Sequence, residues 1–150
     1  MNLTYPNVTQ HPTHPRYQLT VPYTFYTEIT GYSARLPYVY LYPDGLLVLT
    51  VGYRWDLGTY AIDDPAMVVA SLAHDPLCEL VAAGALPYST RAAADALFRK
   101  ILRQYSRTWL GKSWAWGRWA GVVAYRKVRR PLNWLQSKRS VAPADKPPDL

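Results

Sequence analysis

The sequence predicts an α+β fold: a short antiparallel β-hairpin or sheet followed by three helices, with extended arms at both ends. Three observations predict it. Residues 21–62 are rich in Tyr, Val and Thr with partial alternation, as in "YTFYTEI" and "LPYVYLY". From residue 65 onward the apolar positions recur at helical spacing. Both ends, "MNLTYPNVTQHPTHP" and "SKRSVAPADKPPDL", are rich in proline and polar residues. The chain has 150 residues, enough for one domain with one core. The expected division is an arm over 1–20, a single α+β domain over 21–135 and a Pro-rich tail over 136–150.

Each element follows from local chemistry. "PDG", Pro43 to Gly45, is a turn signal between two apolar runs and predicts a hairpin. "YRWDLGTYAIDD" reads as a loop. Asp64 followed by Pro65 is a helix start, because proline at the first helical position forfeits no hydrogen bond. That helix should run to about Ala83 and stop at Gly84. Ser89 or Thr90 can cap a second helix, "RAAADALFRKILRQY", with Ala94, Leu97, Phe98, Ile101 and Tyr105 as its apolar stripe. A third helix is expected from about Ser113 to Arg129, ending before Pro131.

Charge and cysteine content narrow the function classes. The net charge of +7 is uneven: residues 1–95 hold 4 Lys/Arg and 8 Asp/Glu, residues 96–150 hold 13 and 2. The C-terminal third therefore suits an acidic or polyanionic partner. Cys78, the single cysteine, excludes an internal disulfide and a Cys-based zinc site. The N-terminal stretch lacks the basic and apolar regions of a signal peptide. No apolar run approaches the roughly 18 residues of a membrane span. The expectation is a protein made in the cytoplasm, neither secreted by a signal peptide nor transmembrane.

The titratable residues in the middle of the first helix carry the chemistry. Met67, Ala70, Ser71, His74, Cys78 and Val81 share one face by three- and four-residue spacing, while Asp75 is turned about 100° away. A short loop makes the two helices an antiparallel hairpin, so Asp95 on the second can approach His74. Counting from the loop centre sets Asp95 opposite residue 79, roughly 7 Å along the axis from His74. A His held by a carboxylate has its tautomer fixed, and its other nitrogen can polarise a water. Asp75 could bind a divalent cation. The alternative is a buried, satisfied His74–Asp95 pair that specifies packing. A Cys78–His74 dyad is a third arrangement on the same face. "HPTH" offers His11 and His14 as two metal ligands without further partners.

The quoted segments "WDLGT" (Trp55–Thr59), "LAHDPLC" (Leu72–Cys78), "AADALF" (Ala93–Phe98) and "WAGVVAYRKVRR" (Trp119–Arg130) fall in an order that resembles a family of small proteins of unknown function from tailed phages and prophages. Its members carry a loop like "WDGAS", a helix like "LVHDYLY", a helix like "AADxLF" and a final helix rich in aromatics and arginine. The helix pair is also distantly similar to calcium-dependent phospholipase A2, notably its compact bacterial and parvovirus-capsid forms. That resemblance implies His74 as the base, Asp95 as its orienting carboxylate, and Asp75 with Asp56 as ligands of a calcium ion. Two departures are plain: Cys78 stands where both families usually have tyrosine, and Pro76 follows the Asp directly.

Five of six tryptophans lie between Trp109 and Trp134, interleaved with cations. Trp109, Trp114, Arg118, Arg126, Lys127, Arg129, Arg130 and Trp134 are the candidate interface residues, toward other protein subunits, nucleic acid or anionic lipid. The combined expectation is a component of a virion or tail assembly, put together in the host cytoplasm, whose His-Asp helix pair is degenerate and kept as structure. The alternatives are a calcium-dependent hydrolase of a lipid or envelope ester, and a binder of nucleic acid or anionic membrane.

Overall fold

In the computed structural model, the described residues are 4–10, 17–56 and 65–105, with four isolated positions at 117, 120, 121 and 124. They form seven short strands and two helices, so the α+β class holds. The expected third helix and the C-terminal tail fall almost wholly outside the described residues.

The strands are β1 (Val8–Gln10), β2 (Tyr17–Leu19), β3 (Tyr23–Tyr26), β4 (Ala34–Leu36), β5 (Val39–Leu41), β6 (Leu46–Leu49) and β7 (Arg54–Trp55). They make two antiparallel sheets, ordered β1-β2-β7 and β3-β6-β5-β4. The first sheet corrects two expectations. Part of the N-terminal arm is paired strand, and the segment read as a loop supplies β7, with Tyr17 opposite Trp55. Ring stacking explains the pairing: Tyr17, Trp55 and Tyr53 lie in a nearly parallel pile, with centroids 5.5 and 6.1 Å apart. Strand β3 shows the expected alternation, with Tyr23 and Phe25 buried and Thr24 and Tyr26 exposed.

The hairpin at Pro43–Gly45 joins β5 to β6, with Leu41 opposite Leu47. Gly45 donates to the Tyr42 carbonyl (2.9 Å) at φ +87°, a turn closed by a left-handed residue. Its carbonyl accepts from both the Thr27 amide (2.7 Å) and the Thr27 hydroxyl (3.0 Å). A Cβ there would sit 2.9 Å from the Thr27 carbonyl oxygen. Gly45→Ala should therefore cost about 1–3 kcal/mol, combining left-handed strain with a displaced strand. A shift in the urea midpoint checks this, and a change under about 0.5 kcal/mol would contradict the close packing.

Helix α1 spans Pro65–Ala82 and α2 spans Arg91–Tyr105. Helix α1 ends in a Schellman turn: Gly84 (φ +76°) donates to the Val81 carbonyl (3.1 Å) and Ala85 to Leu80 (2.9 Å). The helix runs unbroken through Pro76, which has no N–H for the Leu72 carbonyl. Residues 66–74 are all buried, so α1 has no solvent face there, contrary to the single inner stripe expected. Its neighbours explain this: α2 covers one side, and β4 and β7 touch it from the sheets. Ser71 survives in this apolar setting because its hydroxyl donates back to the Met67 carbonyl at 2.8 Å. On α2 the expected stripe is buried, joined by Leu102 and Asp95, with Tyr105 partly covered.

Candidate functional site: a histidine between two carboxylates

Two helices bring the site together. His74 sits in the buried middle of α1, and Asp95 in the second turn of α2. The Nε2–H of His74 donates to Asp95 Oδ1 at 3.0 Å. The offset of roughly 7 Å given by counting about the loop centre does not keep the two side chains apart, and the connection does not fold about that centre. Ala85 and Leu86 both donate to the Leu80 carbonyl, which wraps the first half of the loop back onto α1. A 3-10 turn at Tyr88–Thr90 then starts α2, whose Asp95 carboxylate reaches His74 Nε2.

The second ring nitrogen is engaged as well. Nδ1 of His74 lies 3.2 Å from Asp75 Oδ1, on the next residue. With both carboxylates ionised, and so able only to accept, both ring nitrogens donate and the ring is an imidazolium. Burial alone would depress the His74 pKa. The hydrogen bonds to Asp75 and Asp95, followed by the Cys78 contact, outweigh it and hold the pKa well above the ordinary value. Asp95 is 2 % exposed, whereas a third of the Asp75 side chain is open to solvent. Desolvation raises the Asp75 pKa, while His74 and then Arg91 draw it down and Asp56 pushes it up.

Cys78 lies against the same ring. Its sulfur lies 3.3 Å from Nε2 and 3.5 Å from Nδ1. A sulfur in the ring plane could not be so nearly equidistant from both nitrogens without colliding with Cε1. It therefore lies over the ring face. Phe98 packs against the same ring at 5.2 Å between centroids. The imidazolium is held in its plane by carboxylates and touched by soft, apolar groups on its faces.

The calcium implied by the phospholipase resemblance finds no fitting set among the described residues. Calcium takes six to eight oxygen ligands. Among the described residues no group of three or more His, Cys, Asp or Glu could hold a metal ion. One Asp75 oxygen is committed to His74, and Asp56 stands within electrostatic range of Asp75 at the end of β7. Residues 57–64, the remainder of the expected loop, lie outside the described residues, as do His11 and His14. So do Trp109, Trp114, Arg118, Arg126, Lys127, Arg129, Arg130 and Trp134.

Three residues join the site without having been expected. Arg91, one turn before Asp95, places Nε 4.0 Å from Asp95 Oδ1. Its i,i+4 spacing was the available signal. Glu79, one turn after Asp75, accepts from the buried Tyr53 hydroxyl at 3.2 Å. Desolvation, with a further push from Asp75, lifts the Glu79 pKa to about 7 despite the Tyr53 bond, and burial with the facing Glu79 raises that of Tyr53. No sequence spacing connects Tyr53 to Glu79, since the two meet only through the fold.

No described helix is long and apolar enough to cross a membrane. Compared with known proteins, the chain matches no family model, no curated sequence and no solved structure.

Proposed function

We propose that the His74–Asp75–Asp95 group is a structural charge network that locks the α1–α2 hairpin, in a small protein built into a phage particle or tail assembly. The observation that carries the structural part is the engagement of both His74 nitrogens by carboxylates. A general base needs a nitrogen free to take a proton from water. An imidazolium with both N–H groups donated has none.

The assembly part rests on the sequence. The motif order resembles a phage family, and the C-terminal third is basic and rich in Trp, the composition of a docking segment. In this reading the segment from Trp109 to Trp134, with Trp109, Trp114, Arg118, Arg126, Lys127, Arg129, Arg130 and Trp134, docks on neighbouring subunits, and the protein resides in the virion. Velocity sedimentation of lysate from its source is the test. Migration of the native chain with a large particle is expected, and migration as a free 17 kDa protein would remove the assembly reading.

One observation favours hydrolysis as the second reading. The buried Nε2 faces Asp95, and the other nitrogen faces a carboxylate one-third exposed. Withdrawal of Asp75 would leave an oriented imidazole toward solvent. The purified protein is expected to release no fatty acid from phospholipid vesicles, with or without added calcium. Turnover that disappears in His74→Ala would establish the hydrolase and end the structural reading.

A further inference from the structure

The network as drawn is unbalanced, with one imidazolium facing two carboxylates, and the acidic surplus is larger nearby. Asp56 acts electrostatically on Asp75, and Asp75 in turn on Glu79. A buried charge without compensation is costly. Arg91 supplies the missing cation. Its side chain is 15 % exposed, and its Nε lies 4.0 Å from Asp95 Oδ1, the same oxygen that accepts from His74 Nε2 at 3.0 Å. The Nε–H is buried and has no hydrogen-bond partner. Arg91 also acts on Asp75 across the helix pair. Its backbone is fixed by the turn that starts α2, where its N–H donates to the Tyr88 carbonyl.

We propose that Arg91 is the fourth member of the network, a positioning residue whose guanidinium balances the second carboxylate, so that Asp75 and Asp95 both remain ionised around one imidazolium. This rests on the structural reading of the site. The role assigned at Nε is one of charge, since that N–H makes no hydrogen bond. The charged groups around it are His74, Asp75 and Glu79 from α1, Asp95 from α2 and Asp56 after β7.

The sign of a titration separates this role from simple packing. In the full chain, the His74 and Asp75 midpoints can be followed by NMR in wild type, Arg91→Gln and Arg91→Lys. Both groups already titrate above their ordinary values. Removing a neighbouring positive charge should move both further upward, by about half a pH unit or more. A side chain that only packed would loosen the site when lost, and both midpoints would drift down toward ordinary values. Arg91→Lys keeps the charge and should stay close to wild type. Unchanged or falling midpoints in Arg91→Gln would overturn the proposal. So would an Arg91→Lys protein whose midpoints fall, which decides the matter if the Gln variant does not fold. Detection of phospholipid hydrolysis would end the structural reading yet leave this shift in place, so the two failures are distinguishable.

Discussion

Asp95→Ala should lower the stability of the protein by about 3–5 kcal/mol, among the largest effects of any single substitution here. The reason is not the worth of the His74–Asp95 bond. Asp95 is 2 % exposed and His74 is 6 % exposed, so neither group has water to fall back on. Without Asp95 the imidazolium keeps only Asp75 and faces a void on α2. It can escape by losing its Nε2 proton, but that leaves the ring without the charge its surroundings select. A matched apolar replacement tests this account. His74→Leu with Asp95→Leu removes both charges and fills the volume, and buried ion pairs replaced in this way are often neutral or stabilising. The double variant should therefore recover most of the loss. Urea unfolding at pH 6 with an unchanged slope is the measurement. A loss below about 0.5 kcal/mol in Asp95→Ala, the range of surface substitutions, would show that the network does not lock the hairpin.

That contrast explains why the pair was legible in the sequence. A buried His at the centre of an apolar helix needs a partner, and the next helix offered one carboxylate on its inner edge. The ends of α1 were legible because proline at its start and Gly84 at its close act locally, whereas Thr90, expected to cap α2, instead donates its hydroxyl to the Pro87 carbonyl within the 3-10 turn. The turn at Pro43–Gly45 was legible too. The sheet β1-β2-β7 was not. Its strands are two or three residues long, and Tyr17 meets Trp55 across 38 positions of chain. No period can emerge from so short a run, and what selects the pairing is the stacking of three aromatic rings. Arg91 and Glu79 were missed for a related cause. Each is an ordinary charged residue on a helix until the fold sets it beside a buried carboxylate or the Tyr53 hydroxyl.

The second large effect is an unusual dependence of stability on pH. Many proteins lose stability on acidification because native carboxylates have depressed pKa values. Here His74, Asp75 and Glu79 all titrate above their ordinary values. A group whose folded pKa is raised binds its proton more tightly in the native state, so its contribution is complete below the unfolded pKa and is lost as pH rises through the folded one. For Asp75 the loss begins near 3.8, and for Glu79 it runs from 4.5 to about 7, made shallower by solvent screening. For His74 it begins at 6.5 and continues upward, at a slope of up to about 1.4 kcal/mol per pH unit once that proton is fully linked to folding. All three act in the same sense. From these three groups the urea midpoint should be highest at or below about pH 4 and fall steadily toward pH 9. Glu79→Gln should flatten the lower part of that fall, and the His74→Leu/Asp95→Leu pair the upper part. A midpoint that rises between pH 5 and 8 would mean that His74 is neutral in the native protein. One ring nitrogen would then be an acceptor, and the hydrolytic reading would regain the base it lacks.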